Sequence, residues 1–227
     1  MHEPSTQLPV EPDIDSIILE TLARRVRLAT TEQLTAVVQI LADKNVTERQ
    51  VRNRLRRLKQ SQDITQRRVA LKVFEVVDPL FRWRPGDPFT EADAIAWSAA
   101  RRIAGTSPRV CTLYRVTQKG ARLHGAGGVT PRRQPTQMEH DLGCTAMLIA
   151  KLRHDRNVSD RWTGEDEIRR YFQPLHPILF RKIPDAALIQ ENDQVERFLE
   201  YCGQYSAKRI LRFHRHCQRH RMPYELY

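Results

Sequence analysis

The segment at residues 47–60, TERQVRNRLRRLKQ, constrains the fold more than any other part of the chain. At about 100° per residue, Val51, Leu55 and Leu58 fall on one narrow face of a helix, and arginines occupy the opposite face. Thr47 is suited to cap the first turn. The segment is therefore predicted to be an amphipathic helix that packs through a thin apolar stripe.

The outer face of this helix carries the residue types that a helix in the major groove of DNA uses. Arginine binds phosphate and contacts guanine through two hydrogen bonds, and asparagine or glutamine can contact adenine in the same way. A solvated surface helix is the alternative, because long arginines also lie along helices that bind nothing. The candidate DNA-binding residues here are Arg49, Gln50, Arg52, Asn53, Arg56 and Arg57.

Two further helices precede this segment, which gives the order of a helix-turn-helix. Residues 13–25 carry an apolar stripe at helical spacing, and a second helix runs from a threonine cap to about Leu41. Behind the third helix, residues 63–69 and 71–77 are short β-rich runs. We predict a hairpin, or wing, there, with Arg67 and Arg68 contacting backbone phosphate.

The segment at residues 113–123, LYRVTQKGARL, is predicted to be a strand followed by a threonine-capped helix. It resembles the Y-x-L-T-x-x-G close of many winged-helix domains, with Val116 where those domains usually have leucine. Residues 79–108 intervene as an insert with a strand near Trp83 and a helix at 91–103 capped by Thr90. Trp83 and Trp97 belong either to the core or to a surface for stacking on bases.

The composition favours a polyanionic partner. Lys plus Arg number 38 against 27 Asp plus Glu, a net charge of +11. The four cysteines form no CxxC pair, so we expect reduced thiols in a cytoplasmic protein. No apolar run approaches the length of about 20 residues that spans a bilayer, and residues 1–12 are predicted to be a disordered lead without signal-peptide character.

A stretch rich in Gly, Pro and Arg, residues 125–136, is predicted to be a linker between two domains. Beyond it the predicted order is α-β-β-β-α-β. The predicted helices span 137–154 and 205–219, and the predicted strands span 158–162, 183–189, 194–201 and, at the sheet edge, 224–227.

Two motifs in this second half resemble the PD-(D/E)xK nuclease fold. Pro184-Asp185-Ala186 opens one predicted strand, and Glu200 lies near the end of the next. In that fold the two carboxylates bind Mg²⁺, and a Lys two positions after the Glu activates water; here that position is Cys202. A thiol cannot replace an ammonium in stabilising the developing negative charge, so we expect an inactive nuclease-like domain.

The resemblance implies a specific set of site residues. Asp185 and Glu200 are the implied metal ligands and catalytic carboxylates, and Glu139 or Asp141 on the first helix is the implied third carboxylate. Lys208 could supply the missing charge from the following helix. The alternative is that polar residues at strand ends simply bond to neighbouring loops.

The chain resembles the replication-relaxation family of mobile-element proteins. The resemblance rests on the motif series HDLG…WxGED…PDA…E…Y…KR behind an N-terminal winged helix, with segments at His140, Trp162 and Lys208. The resemblance implies a regulator or accessory factor of a plasmid or mobile element. The predicted fold class is α+β, with a winged helix-turn-helix at 13–124 and a small α/β restriction-endonuclease-like domain at 137–227.

The predicted function is sequence-selective binding of double-stranded DNA, with a role in transcription regulation, no cofactor required and a homodimer included in the hypothesis. A Mg²⁺-dependent DNA endonuclease and a protein-interaction adaptor are the alternatives. A zinc site at His214, His216, Cys217 and His220 is disfavoured, because residues two apart on a helix point about 200° apart.

Overall fold

The computed structural model describes residues 13–42, 45–89, 91–126 and 135–227. These residues form a mixed α+β fold with two sheets. The helices are Ile14–Glu20 (α1), Thr31–Ala42 (α2), Glu48–Gln60 (α3), Ala92–Ala104 (α4), Gln118–Leu123 (α5), Pro135–His154 (α6), Val158–Arg161 (α7), Glu165–Glu167 (α8), Gln173–Leu175 (α9) and Ala207–Arg219 (α10). The strands are Ala29–Thr30 (β1), Ile64–Leu71 (β2), Phe81–Trp83 (β3), Arg109–Val116 (β4), Trp162–Gly164 (β5), Ala186–Ile189 (β6), Val195–Glu200 (β7) and Tyr224–Leu226 (β8).

The described residues also form three short helical turns: π-helical turns at Thr21–Arg25 and Ile168–Phe172 and a 3₁₀ turn at Leu179–Arg181. The predicted disordered lead, most of the predicted linker and the Thr90 cap lie outside the described residues. Pro135 and Thr136, assigned to the linker, instead begin helix α6.

Helix α3 forms where its amphipathic pattern predicts. Thr47 caps it: its side chain accepts a hydrogen bond from the Gln50 backbone, and the Gln50 side chain accepts one from the Thr47 backbone. Val51, Leu55 and Leu58 are buried against the two preceding helices. The narrow apolar stripe is thus the packing face, and the arginines remain outside.

The first sheet has the strand order β1-β4-β2, and all its pairs are antiparallel. The predicted hairpin at 63–77 is wrong, because β2 runs unbroken to Leu71 and pairs with β4, from Ile64↔Val116 to Leu71↔Arg109. Residues 72–77 form no strand, and their Phe74 and Val76 side chains enter the core beneath the first three helices. Burial of these two side chains overrides the local β-propensity.

The insert at 79–108 joins the second sheet rather than the first. Strand β3 pairs with β8, and α4 packs against α10. Trp83 is buried and stacks on Tyr224 with ring centroids 5.6 Å apart, whereas Trp97 is 61% exposed. The core interpretation is therefore right for Trp83 and does not apply to Trp97.

The second sheet has the strand order β3-β8-β7-β6-β5. Strands β5, β6 and β7 are antiparallel neighbours, and β8 returns parallel to β7 after α10. The predicted strand at 158–162 is wrong: Val158–Arg161 is a helical turn, and the strand starts at Trp162. The predicted edge position of the last strand is also wrong, because β3 from the insert covers that edge.

Helix α6 contributes side chains to two separate clusters of buried residues. Met138 and Leu142 lie in a cluster with first-sheet residues, while Met147 and Ile149 belong to a larger core. That larger core also contains residues from both predicted domains. Leu142, Ala146, Ile149 and Leu152, which the helical period places on one side of α6, are all buried.

Gly120 lies where α5 closely approaches the backbone just before β2. A Cβ at this position would lie 2.2 Å from the Asp63 carbonyl oxygen. We expect Gly120→Ala to lower the free energy of unfolding by about 1–3 kcal/mol, because backbone must move to accept the methyl group. Urea denaturation measures the change, with Gln118→Ala on the exposed side of the same helix as the control. Equal stability of the two variants would contradict the contact.

Candidate functional site

The outer face of α3 is solvent-exposed along its length. The predicted DNA-binding residues Arg49, Gln50, Arg52, Asn53, Arg56 and Arg57 are all exposed. Gln50 is partly committed elsewhere, because its side-chain oxygen accepts the Thr47 N–H at 2.7 Å in the helix cap. Gln50 is therefore less suited than Asn53 to contact a base.

Two of the polar side chains on this face contact neighbours on the same helix. Arg52 forms an ion pair with Glu48, and Arg56 donates to the Asn53 side-chain oxygen at 3.1 Å. Exposed pairs of this kind contribute about 0.2–1 kcal/mol. A phosphate or a base edge can therefore replace them at little cost.

Arg67 and Arg68 are exposed but project from opposite faces of β2, because adjacent residues on a strand alternate. Arg68 shares a face with Ile64, which is buried in the core with α3. Arg67 shares a face with Leu71, which is buried with residues of α6. Of the two predicted phosphate contacts, only Arg68 is therefore on the α3 side of the sheet.

The second candidate site is a cleft of about 650 Å³ beside the start of α6. Basic and acidic side chains face each other across it. The charged residues that line it, with His140, are Arg27, Glu165, Arg169, Arg181, Lys182, Asp185, Glu200 and Arg209.

Asp185 and Glu200 meet in this cleft because β6 and β7 are paired strands. Asp185 immediately precedes β6 and Glu200 ends β7, in a register that pairs Ala186 with Leu199. The Asp185 N–H donates to Glu200 Oε2 at 3.3 Å, and Asp185 Oδ2 accepts the Tyr201 N–H at 2.8 Å. The fold therefore brings together the two carboxylates that the motif predicts to be neighbours.

The two carboxyl groups differ in charge state. Burial and the neighbouring Asp185 carboxylate raise the pKa of Glu200 to about 8. Burial also acts against ionisation of Asp185, but His140 outweighs it and holds the pKa of Asp185 below its usual range. Conversely, although burial disfavours the imidazolium, the Asp185 carboxylate 3.3 Å away raises the pKa of His140 to about 12. At neutral pH, Asp185 and His140 form an ion pair beside a protonated Glu200.

Lys182, rather than the predicted Lys208, brings an ammonium to the carboxylates. Lys182 lines the cleft, and its Nζ is buried without a hydrogen-bond partner among the described residues. Burial lowers the pKa of Lys182 even though Glu200 acts to raise it. Lys208 is exposed on α10 and does not line the cleft. In the sequence, the signal for Lys182 was its position three residues before Asp185.

Glu139 does not join the site either. Its carboxylate accepts the Lys72 backbone N–H at 2.9 Å, which directs it toward the first sheet. Asp141 is buried with one oxygen 3.8 Å from Arg27. Cys202, at the position of the expected lysine, is fully buried, and its backbone N–H donates to the Tyr227 carbonyl. The third carboxylate implied by the resemblance is therefore not beside Asp185 and Glu200.

Arg27 connects the two halves at the rim of the cleft. Its guanidinium donates to both Asp166 and Glu165, with Nε 3.0 Å from Asp166 Oδ2. Burial disfavours the charged guanidinium, yet these carboxylates outweigh it and raise the pKa of Arg27. The acidic segment after β5 thus fixes the first half of the chain against the second.

The histidines of α10 do not converge, as their helical angles predict. His214 is buried, and its Nδ1 lies 2.9 Å from the Tyr224 hydroxyl, whereas His216 Nε2 lies 2.7 Å from the Leu179 carbonyl. His216 and His220 are neighbours with ring centroids 4.7 Å apart. Only this last pair remains available for a shared ligand.

Comparisons of the chain with protein-family models, with curated proteins and with solved structures gave no match. All four cysteines are free thiols. Within the part of the chain that the structure describes, no helix has both the length and the apolar character needed to cross a membrane.

The protonated state of Glu200 predicts how stability depends on pH. Its pKa rises from 4.5 in the unfolded chain to about 8 in the folded protein. The stabilisation from this proton is complete below the unfolded value and is lost as pH rises through the folded value. Glu200→Gln is neutral at every pH, so we expect the variant to gain stability relative to the natural protein between about pH 5 and pH 9.

Denaturant unfolding at the two pH values measures this difference, and Glu191→Gln in an exposed turn is the matched control. A constant difference between Glu200→Gln and the natural protein would contradict the protonated carboxyl.

Proposed function

We propose that this protein binds double-stranded DNA with sequence selectivity by inserting helix α3 into the major groove. The observation that carries the proposal is the exposed face of Arg49, Asn53, Arg56 and Arg57 on a rigidly packed third helix. Arginine and asparagine are the side chains that form paired hydrogen bonds with guanine and adenine edges. Gln50 remains in the helix cap under this proposal.

The topology of the first half supports a winged helix-turn-helix. Strand β1 lies between α1 and α2, and β2 follows α3, with β4 between them in the sheet. The wing is then the β2–β4 ribbon, whose connection contains the insert that joins the second sheet. Arg68 on this ribbon is the proposed phosphate contact beside α3.

A second basic surface supports a polyanionic partner. Helix α10 contains no acidic residue, and it exposes Lys208, Arg209, Arg212, Arg215 and Arg219. Together with the net charge of +11, this surface provides the non-specific attraction that brings a protein to DNA. We assign α3 to base contacts and α10 to backbone contacts.

The proposed biological role is that of a cytoplasmic regulator or accessory factor of a plasmid or other mobile element. This part rests on the resemblance to the replication-relaxation family, and the free thiols are compatible with it. A homodimer belongs to the same proposal, because two-fold DNA-binding proteins read paired half-sites.

Selection from a random duplex library, followed by affinity measurements, tests base contacts by α3. We expect Arg49→Ala with Asn53→Ala to reduce the preference for the selected sequence over a scrambled one by about tenfold or more, because each lost paired contact costs about 1–3 kcal/mol. Arg153→Ala with Gln190→Ala likewise removes one positive charge and one neutral amide, from exposed positions elsewhere, and should keep the preference. Loss of preference in both double variants would contradict base contacts by α3.

The two arginines of β2 give a separate test of the wing. Arg68→Ala should weaken binding to all sequences and reduce the salt dependence by about one ionic contact, because it removes a phosphate contact. Arg67→Ala should have a smaller effect, since Arg67 lies on the other face of the strand. Equal effects of the two variants would exclude the proposed docking. Undiminished binding of a protein partner after charge reversal of α3, with no DNA binding, would favour an adaptor.

A metal-dependent DNA endonuclease is the second candidate function, and one observation favours it: Lys182 lies with Asp185 and Glu200 in one cleft. The order of α6, β5, β6, β7, α10 and β8 also supports a nuclease-like fold. Asp185 and Glu200 offer the oxygen ligands that Mg²⁺ prefers, once Glu200 loses its proton. Bound there, Mg²⁺ would stabilise negative charge on a phosphate, and Lys182 would add to that stabilisation.

Cleavage of supercoiled and linear DNA with Mg²⁺ or Mn²⁺ tests this candidate. Asp185→Asn and Lys182→Ala should each abolish cleavage, while Lys208→Ala should retain it. Inert protein, or cleavage that persists in Asp185→Asn, would exclude a nuclease site in this cleft.

A further inference from the structure

A histidine, a cysteine and an aspartate converge beside the cleft, and the histidine and the aspartate line it. His140 and Cys144 lie one turn apart on α6, and Asp185 approaches them from the start of β6. One ring nitrogen of His140, the Cys144 sulfur and one Asp185 carboxylate oxygen all lie within 4.8 Å of one another. Two of these residues form a His-x-x-x-Cys pattern on one helix, whereas the third, Asp185, is distant in the sequence and joins them only in the folded chain.

We propose that His140, Cys144 and Asp185 bind a zinc ion. Imidazole, thiolate and carboxylate are the three ligand types of protein zinc sites, whereas Mg²⁺ prefers oxygen ligands alone. The inference is independent of DNA binding by α3, and it shares one ligand, Asp185, with the oxygen-ligand site at Asp185 and Glu200.

The spacing of the donor atoms supports this assignment. His140 Nδ1 and Cys144 Sγ are 3.6 Å apart. Zinc bonds of about 2.0 Å to nitrogen and about 2.3 Å to sulfur, at a tetrahedral angle, separate the two donors by about 3.5 Å. The helix therefore holds two donors at the required distance. Asp185 Oδ2 lies 3.3 Å from the other ring nitrogen, Nε2, so the Asp185 side chain must reorient toward Nδ1 to complete the set.

Neighbouring groups hold the third ligand and the imidazole in place. The Tyr201 N–H donates to Asp185 at 2.8 Å, and the Tyr205 hydroxyl lies 3.3 Å from His140 Nε2. The same hydroxyl donates to Glu200 at 3.0 Å. Such outer partners orient the ligands of metal sites and tune their basicity.

Three protein ligands leave one tetrahedral position open. His140 and Asp185 both line the cleft that Lys182 and Arg209 also line, so a water or substrate oxygen would reach a bound ion from that space. An open zinc position is typical of a site that activates water or binds a substrate oxygen, rather than of a purely structural site. Binding converts the Cys144 thiol to a thiolate and releases its proton to solvent.

Cobalt substitution tests the site, because tetrahedral Co²⁺ bound to a thiolate gives intense visible bands and a thiolate-to-metal charge-transfer band. Chelator-treated protein should develop both with one Co²⁺ per chain, and Zn²⁺ should remove them. Cys144→Ser should lose the charge-transfer band, while Cys111→Ser, at a buried cysteine of the first sheet, should retain both. The double variant His216→Ala, His220→Ala removes the competing surface pair on α10 and should also retain both.

Alkylation of the natural protein provides a test that needs no variant to fold. Zn²⁺ should slow iodoacetamide modification of Cys144, read by peptide mass spectrometry, and Mg²⁺ should not. Absence of the charge-transfer band together with unprotected Cys144 would overturn the zinc site. Bands that disappear only in the His216, His220 double variant would overturn it as well, by locating the metal on α10. A failed nuclease test with retained cobalt bands would exclude cleavage while leaving the zinc site intact.

Discussion

Burial of helix α6 is the constraint on which the rest of the structure depends. Eleven of the residues in this helix are buried, on several sides of it rather than along a single stripe. A helix that is buried all round must lie between other elements, and α6 packs against α2 and β1 as well as α7. Its first turns consequently carry His140 into the wall of the cleft, with Cys144 one turn further along, so one packing requirement both joins the halves and builds the second site.

Charge is arranged differently at the two candidate sites. On α3 the arginines stay in water, where their fields extend outward and a polyanion can be attracted at no desolvation cost. In the cleft, the side chains of Arg27, Asp185 and Glu200 are largely buried, so a charge on any of them persists only with a partner. His140 with Asp185 and Arg27 with its acidic neighbours satisfy this condition, whereas Glu200 stays neutral. Lys182 Nζ has no hydrogen bond among the described residues and lies 4.6 Å from the centroid of the Phe213 ring, so an anionic ligand in the cleft would give it a hydrogen-bond partner.

Local patterns in the sequence predict much of the fold and only part of the site. Helix α3 and its Thr47 cap follow from periodicity and capping chemistry. The partner of β2 could not be predicted, because a strand's partner depends on packing between distant segments, and the burial of Phe74 in the core excludes the expected hairpin. For the same reason, the insert at 79–108 was predicted to belong to the winged-helix domain that surrounds it in the sequence. Its strand β3 instead pairs with the distant β8.

The site shows the same limit. Asp185 and Glu200 were recognisable from a motif, because strand ends that pair in a sheet bring such residues together. Lys182 and Cys144 were missed, since the first occupies an unfamiliar position before Asp185 and the second lies near Asp185 only in the folded chain. The one-turn spacing of His140 and Cys144 was the signal available in the sequence.

Directed cleavage of DNA tests the central claim, that α3 enters the major groove. A hydroxyl-radical generator attached at Asn53→Cys should cut a bound duplex at one discrete stretch, because that position then lies against the bases. The same reagent at Arg153→Cys, at the exposed end of α6, should give no focused cleavage. Focused cutting from position 53 alone is the predicted result. Diffuse cutting from position 53, or equal cutting from both positions, would contradict major-groove binding by this helix.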